Sequence, residues 1–298
     1  GKFQDVTREY AEKLSRIGNV KDVAMVDLDN NGFKDLIVIG HWMPIAIFLN
    51  KGTELEDLSV DSLKNSNGLW NAIEAGDFDH DGDMDFIVGN WGENSKLKAS
   101  KEEPITLYRA DIDNNGSVET IVTHYQQHEE TVFASKDELT KQIPSLNKNY
   151  LTYTDFAKAS IQDLFPMNKL KSGIKKEVYE LGTCFLENKG DLSFQKHKLP
   201  NIAQMSNVRD ILIEETKGVT RIILVGNNYE ISTQLGRMDA SHGIILYPSQ
   251  NEMNNIVREE ILGVSGAARS IEKIKINQKK GYLIARNNDS LVFIPNEK

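Results

Sequence analysis

Apolar positions along this chain gather in short runs of the length and composition that predict strands rather than helices. Leu36-Ile-Val-Ile39, Phe86-Ile-Val88 and Ile121-Val122 each follow a polar, acidic segment, and strand-like stretches such as Val23-Ala-Met-Val26 and Ile105-Thr-Leu-Tyr108 precede those segments. The repeating unit is strand, loop, strand. Two worn copies follow without the acidic loop: Arg209–Ile213 with Arg221–Gly226 around Gly218, and Ser270–Ile276 with Gly281–Arg286. Further apolar runs, Ile45–Leu49 and Cys184–Glu187, lie between them. The pattern changes once, where Ser135-Lys-Asp-Glu138 forms a capping-box sequence ahead of Leu139, Ile143 and Leu146 at helical spacing. A second stripe of Phe156, Ala157, Ile161, Leu164 and Phe165 stops at Pro166, so a helical hairpin is expected over 135–166. Lys169, Lys171, Lys175 and Lys176 read as a solvated loop behind it.

The three acidic loops fit one grid, D-x-D-x-[DN]-G-x-x-[DE]. Its first, third and fifth positions are Asp27, Asp29 and Asn31, then Asp77, Asp79 and Asp81, then Asp111, Asp113 and Asn115. Alternate residues of a tight loop can aim oxygens at one centre, and calcium wants six to eight such hard ligands. Gly32, Gly82 and Gly116 at the sixth position allow the backbone a positive φ without a Cβ clash. A carbonyl at the seventh position (Phe33, Asp83, Ser117) and a carboxylate at the ninth (Asp35, Asp85, Glu119) would complete each cage. An EF-hand opens in the same way but needs Glu at position twelve and flanking helices. Here position twelve is Val38, Val88 or Val122, inside a β-type run. One acidic turn needs no metal; three copies with the same ligand positions and the same glycine favour up to three Ca²⁺ ions.

Five such units, with loop starts at Asp27, Asp77 and Asp111 spaced 50 and 34 residues apart, predict an all-β chain. The expected architecture is a β-propeller of about five blades, whole or part of a larger ring, spanning 1–298 as one domain with a small helical insert. The chain has 298 residues, of which 39% are hydrophobic and 27% charged, ample for a packed core. Its net charge of −9 argues against nucleic acid as a partner, and three bound Ca²⁺ would bring it to −3. No apolar run is long enough to cross a bilayer, and no signal peptide is present, so no membrane insertion by this segment is expected. Cys184 is the sole cysteine and sits in an apolar run, as a buried inert thiol.

The grid followed by a β run and Gly-His or Gly-Asn resembles the FG-GAP/VCBS repeat, the calcium-bearing blade unit of integrin-α-type propellers. Gly68-Leu-Trp-Asn-Ala-Ile73, Gly89-Asn-Trp-Gly-Glu-Asn-Ser-Lys96 and Ala285-Arg-Asn-Asn-Asp289 resemble, more narrowly, large secreted VCBS-repeat proteins of Bacteroidetes of the type that carries ASPIC/UnbV segments. The resemblance implies calcium between the first two strands of a blade, export to an extracellular, cell-surface or periplasmic location, and adhesion or ligand binding. The chain departs from the pattern in lacking a literal Phe-Gly and Gly-Ala-Pro, in Glu119 for Asp, and in two units without acidic loops. Gly1–Thr7 resembles the tail of a repeat, so a longer parent protein is expected.

Behind each strand that follows a loop stands a polar residue beside an aromatic one. These are His41 with Trp42, Asn90 with Trp91, His124 with Tyr125, and Asn228 with Tyr229. A strand of five or six residues spans about 17–20 Å, which puts these pairs at the end of the unit opposite the acidic loop. They are the candidate face for a protein or glycan ligand, the competing reading being that they pack turns. Catalysis has little support: no G-x-S-x-G, H-E-x-x-H or phosphate-binding loop occurs, and the six histidines show no ligand spacing. A binding module is therefore expected and not an enzyme. The alternatives are a polysaccharide lyase or hydrolase on a propeller scaffold, which a basic or acidic cluster away from the loops would favour, and a structural spacer.

Overall fold

The computed structural model describes residues 2–216, 218–249 and 252–296, so Gly1 of the opening segment and the last two residues of the expected domain lie outside it. The described chain is predominantly β, with five antiparallel sheets. After a single short helix α1 (Thr7–Tyr10), the first sheet holds β1 (Asn19–Val26), β2 (Asp35–Met43), β3 (Ala46–Asn50) and β4 (Leu55–Leu58) in sequential order, with β5 (Gly68–Leu69) added to β2. The second opens with β6 (Ala72–Gly76) and β7 (Asp85–Gly89). The chain then departs into a separate compact unit, 96–180 with 232–236. There β8 (Ile105–Ala110), β9 (Glu119–Gln126), β10 (Glu129–Val132) and β11 (Ile174–Val178) form a sheet ordered β10-β9-β8-β11. The second sheet resumes with β12 (Cys184–Asn188), which pairs with β7 through Cys184↔Val88 and Leu186↔Phe86, and β13 (Phe194–Lys198). Then come β14 (Val208–Thr216), β15 (Val219–Gly226), β16 (Ile244–Ser249) and β17 (Glu252–Ile261), and finally β18 (Ala268–Ile276), β19 (Lys279–Arg286) and β20 (Val292–Pro295).

All five expected strand–loop–strand units are antiparallel pairs: β1–β2, β6–β7, β8–β9, β14–β15 and β18–β19. They are not five serial units of one body, because β8 and β9 belong to the inserted unit. Nothing in residues 90–183 announces a detour in the middle of a sheet.

Within the larger unit the sheets stack face to face, which explains why β7 and β15 are apolar on both faces. Phe86 and Val88 join a core with Ile37, Ile39, Ile47 and Trp70 of the first sheet. Ile87 between them joins Phe185, Ile222, Leu224 and Leu246. One register step further, Ile223 and Val225 join Ile271, Tyr282 and Ile284. Trp70 is fully buried, and its indole N–H donates to the Ser66 carbonyl at 2.8 Å. Each such side chain contributes about 1.5–3 kcal/mol by leaving water.

The inserted unit carries α2 (Lys136–Gln142), α3 (Leu146–Asn149), α4 (Tyr153–Ala157), α5 (Ile161–Leu164) and α6 (Met167–Ser172). The Ser135 capping box forms, Ser160 caps α5 with a second box, and the Thr152 side chain caps α4 by accepting from the Asp155 amide. Four helices of four to seven residues, α2 to α5, replace the hairpin expected over 135–166, because caps at 152 and 160 and Pro144 interrupt the stripe, and α6 follows Pro166. Helices this short do not persist alone. They are held by Leu139, Ile143, Leu146, Phe156, Ile161, Leu164 and Leu170, packed with Tyr108 and Ile121 of the sheet. The lysines read as a loop stand on α6 (Lys169, Lys171) and β11 (Lys175, Lys176). Among the described residues no helix is long and apolar enough to cross a membrane, which says nothing of strands.

The first strands of successive sheets are neighbours in the order β1, β6, β14, β18. Asp22 on β1 accepts from the Ile73 amide of β6 at 3.0 Å, and Asp210 on β14 accepts from the Ile271 amide of β18 at 2.7 Å. Glu74, on the exposed side of β6, lies among these acids: loss of hydration, then Asp210, Asp22 and Glu272, push its carboxyl up to about 6. A carboxyl raised in the folded state contributes stability that is present below its unfolded value and lost as pH rises through about 6. Glu74→Gln is therefore expected to melt higher than the wild type at pH 8 and equally at pH 4. Melting curves at the two pH values check this; equal curves at pH 8 would remove the assigned repulsion.

Candidate metal centres

Each acidic loop is pinned from below by its second residue. Leu28, Phe78 and Ile112 are buried, while the residues at the fifth and sixth positions are exposed. The backbone repeats at two left-handed points. Asn30, His80 and Asn114 take φ of 56°, 62° and 58°, and Gly32, Gly82 and Gly116 take 88°, 97° and 86°. Asn is among the few residues with a side chain that adopt this region readily, so the fourth position carries a turn signal beside that of the glycine.

The ninth-position carboxylates, Asp35, Asp85 and Glu119, are buried at the start of β2, β7 and β9. One oxygen of each accepts from the second-position amide: Leu28 N to Asp35 at 2.7 Å, Phe78 N to Asp85 at 3.3 Å, Ile112 N to Glu119 at 2.8 Å. The other oxygen of Asp35 accepts from Asn50 N at 2.6 Å, and that of Asp85 from Asn188 N at 2.8 Å. Those partners begin a repeated Asn-Lys-Gly turn, Asn50-Lys51-Gly52 and Asn188-Lys189-Gly190, in which the asparagine side chain accepts from the glycine amide at 2.9 and 3.2 Å. Sequence reasoning passed over this turn, although the duplicated triplet was visible.

In each loop three carboxylates converge, and in the first and third the ninth-position residue is one of them. One oxygen each from Asp27, Asp29 and Asp35, from Asp77, Asp79 and Asp81, and from Asp111, Asp113 and Glu119 lie within 4.8 Å of one another. In the second loop Asp81 takes the place that Asp35 and Glu119 hold in the other two. Asn31, Asp81 and Asn115 each use a side-chain oxygen to accept from the seventh-position amide of Phe33, Asp83 or Ser117 at 2.7–2.9 Å. Asp83 itself stands outside the trio and lines a cleft with Asp29 and Asn30 of the first loop.

Such crowding is costly without a cation. Loss of water, then Asp79 and Asp81, push the Asp85 carboxyl up to about 7, and burial with Asp81 and Glu187 nearby raises Asp79. Lys51 donates to Asp29 at 2.8 Å and lowers its carboxyl, so the first loop carries an internal counter-charge. Two buried oxygens, Asp29 Oδ1 and Asp77 Oδ1, have no hydrogen-bond partner among the described residues. Buried acceptors of this kind are rare, and a hard cation is the partner that clustered carboxylate oxygens suit. The residues present could therefore hold a metal ion.

The expected ligand face is only partly presented. His41 is half-buried with Nε2 3.0 Å from Asn71 Oδ1, and Trp42 sits at φ 62° in an irregularity of the β2–β5 pairing. Asn90 is fully buried and acts as a joint: its Oδ1 accepts from Leu69 N and Trp91 N at 3.1 and 2.8 Å, and its amide donates to Gly182 O. Trp91 is 9% exposed, so this pair faces inward and packs turns. His124 is 8% exposed against the Phe133 ring and, with half-buried Tyr125, belongs to the inserted unit. Tyr229 is half-buried under the Arg237 guanidinium, 3.5 Å from its ring centre.

Residues 27–88 match the family model described as an FG-GAP-like repeat. The match runs from the first residue of the first loop through the second loop and most of β7, and it supports an FG-GAP repeat family for that stretch. No curated protein matches the chain.

The two kinds of carboxylate separate in a mutational test. Asp35→Ala strands the Leu28 and Asn50 amides and is expected to cost about 2–4 kcal/mol already in chelator, before any loss of a metal ligand is counted. Asp29→Ala, losing one exposed ion pair with Lys51, should cost under about 1 kcal/mol in chelator. Urea unfolding in EDTA measures both; equal costs would refute the division.

Proposed function

We propose that this chain is a calcium-binding β-propeller module that works outside the cytosol and binds a protein or glycan. The observation that carries the reading is the threefold convergence of carboxylate oxygens on one loop design, with unpartnered buried oxygens in two of the loops. The propeller reading is supported by antiparallel sheets of three to five strands whose first strands are neighbours, together with the FG-GAP match. FG-GAP repeats typically serve as non-catalytic binding modules, and the narrower likeness to secreted VCBS-repeat proteins points the same way. Asp27, Asp29, Asn31, Phe33 and Asp35, with their counterparts in the other loops, would hold the ions. The ion would cancel the repulsion that raises Asp79 and Asp85.

Exported modules of this chemistry hold calcium at Kd values of about 10⁻⁴–10⁻³ M, which suits millimolar and not cytosolic concentrations. A site that binds only the folded state adds about 2.7 kcal/mol at a hundredfold excess over Kd. EDTA is thus expected to lower Tm sharply, with recovery at millimolar calcium. Asp79→Ala should cut the recovery more than Asp29→Ala or Asp113→Ala, because the Asp77 loop brings the most carboxylates and lacks the lysine that satisfies Asp29. Isothermal titration calorimetry without heat, together with melting indifferent to EDTA, would overturn the reading.

A further inference from the structure

Three of the four first strands in the larger unit begin with a bulge, and in each the extra residue is a cation. The β1–β2 register shifts at Lys21, β14–β15 at Arg209 and β18–β19 at Arg269. Bulges re-aim the side chain they insert. All three lie at the strand end away from the acidic loops, since Asn19 pairs with His41 while Val26 pairs with Asp35. Arg209 Nη1 donates to Asn71 Oδ1 at 2.8 Å, the same oxygen that His41 Nε2 approaches at 3.0 Å. Arg209 Nε is buried with no acceptor. Arg269 Nη1 donates to the Asn227 carbonyl at 2.8 Å.

Among the described residues, no ion pair engages either guanidinium. Burial and then Arg269 hold Arg209 below its ordinary value, burial lowers Arg269 while Glu230 partly offsets it, and Lys21 and Arg209 lower His41 after burial does. Partly buried guanidinium groups whose hydrogen bonds go to neutral oxygens are costly, and a planar bidentate anion is the ligand their forks match. Trp42, directly after His41, is bulged from its sheet in a left-handed conformation that a bulky residue adopts only under constraint. Trp42 is half-exposed, and an indole face suits stacking on a sugar ring.

We propose that Arg209 and Arg269, with Lys21, His41 and Asn71, form a binding site for the carboxylate of a uronate sugar, stacked on Trp42. This rests on the binding-module reading and supplies its ligand class. The test is calorimetric titration of the full chain in 2 mM calcium, on the order of extracellular levels, with D-glucuronate, D-glucose, N-acetylaspartate and inorganic phosphate as probes. Saturable glucuronate binding is expected, with glucose, N-acetylaspartate and phosphate at least about tenfold weaker. Arg209→Gln and Arg269→Gln should each weaken glucuronate at least about tenfold, whereas Arg258→Gln, a cation on another strand, leaves it unchanged. Should a glutamine variant fail to fold, Arg209→Lys and Arg269→Lys keep the charge, lose the fork and carry the same expectation. No saturable binding, glucose as tight as glucuronate, N-acetylaspartate or phosphate as tight, or unaffected arginine variants would each overturn the proposal. Melting with and without EDTA is read on the same samples: glucuronate binding without a calcium shift fails the calcium reading alone, and the reverse fails the uronate site alone.

Discussion

The larger unit depends on a carboxylate buried where the second strand of a sheet begins. Asp35 and Asp85 each bind two amides that are far apart in sequence, one in the acidic loop and one at the end of the third strand. A charged acceptor with two backbone donors is strong in a buried setting, and losing it would strand both donors. The loop is thereby fixed to the sheet before any cation is considered, and the remaining carboxylates are held close together at the expense of their mutual repulsion. Glu119 repeats the bond to the loop with a side chain one carbon longer.

The loops were legible in the sequence because their geometry demands specific residues at fixed offsets. Gly32, Gly82 and Gly116, the alternating acids and the apolar runs behind them all read correctly as strand, turn, strand. The five pairs were legible for the same reason, even where Arg209–Ile213 and Ser270–Ile276 had lost the acids. What could not be read was non-local. Pairing of Phe86 with Leu186 is encoded only as two apolar runs that fit one another, and no local signal says which runs pair. Asn90 looked like a surface residue, but its amide is used up in joining three segments. The arginine cluster was invisible because its members lie far apart in the chain and meet only where first strands adjoin.

Those first strands divide their charges by position. Asp22 and Asp210 fasten neighbouring strands through backbone amides, whereas Lys21 and Arg209, one residue earlier, and Arg269 on β18 are bulged out of the ladder. Acidic side chains therefore serve cohesion, and basic ones are left with surplus donor capacity. Function in such a frame falls to the residues whose hydrogen bonds the frame does not consume.

The interruption of the second sheet bears on the order in which the chain assembles. Asn90 donates to Thr183 Oγ1 across 93 positions, while β1 and β2 are joined by one short loop. Closing a flexible loop of that length costs about 2–3 kcal/mol more than closing a turn of about five residues. A helix-braced sheet that has already formed in the intervening stretch shortens the effective chain and removes much of that cost. The second sheet is thus expected to close late, and a substitution in Leu139 or Ile161 that loosens the intervening unit is expected to slow the joining of β7 to β12.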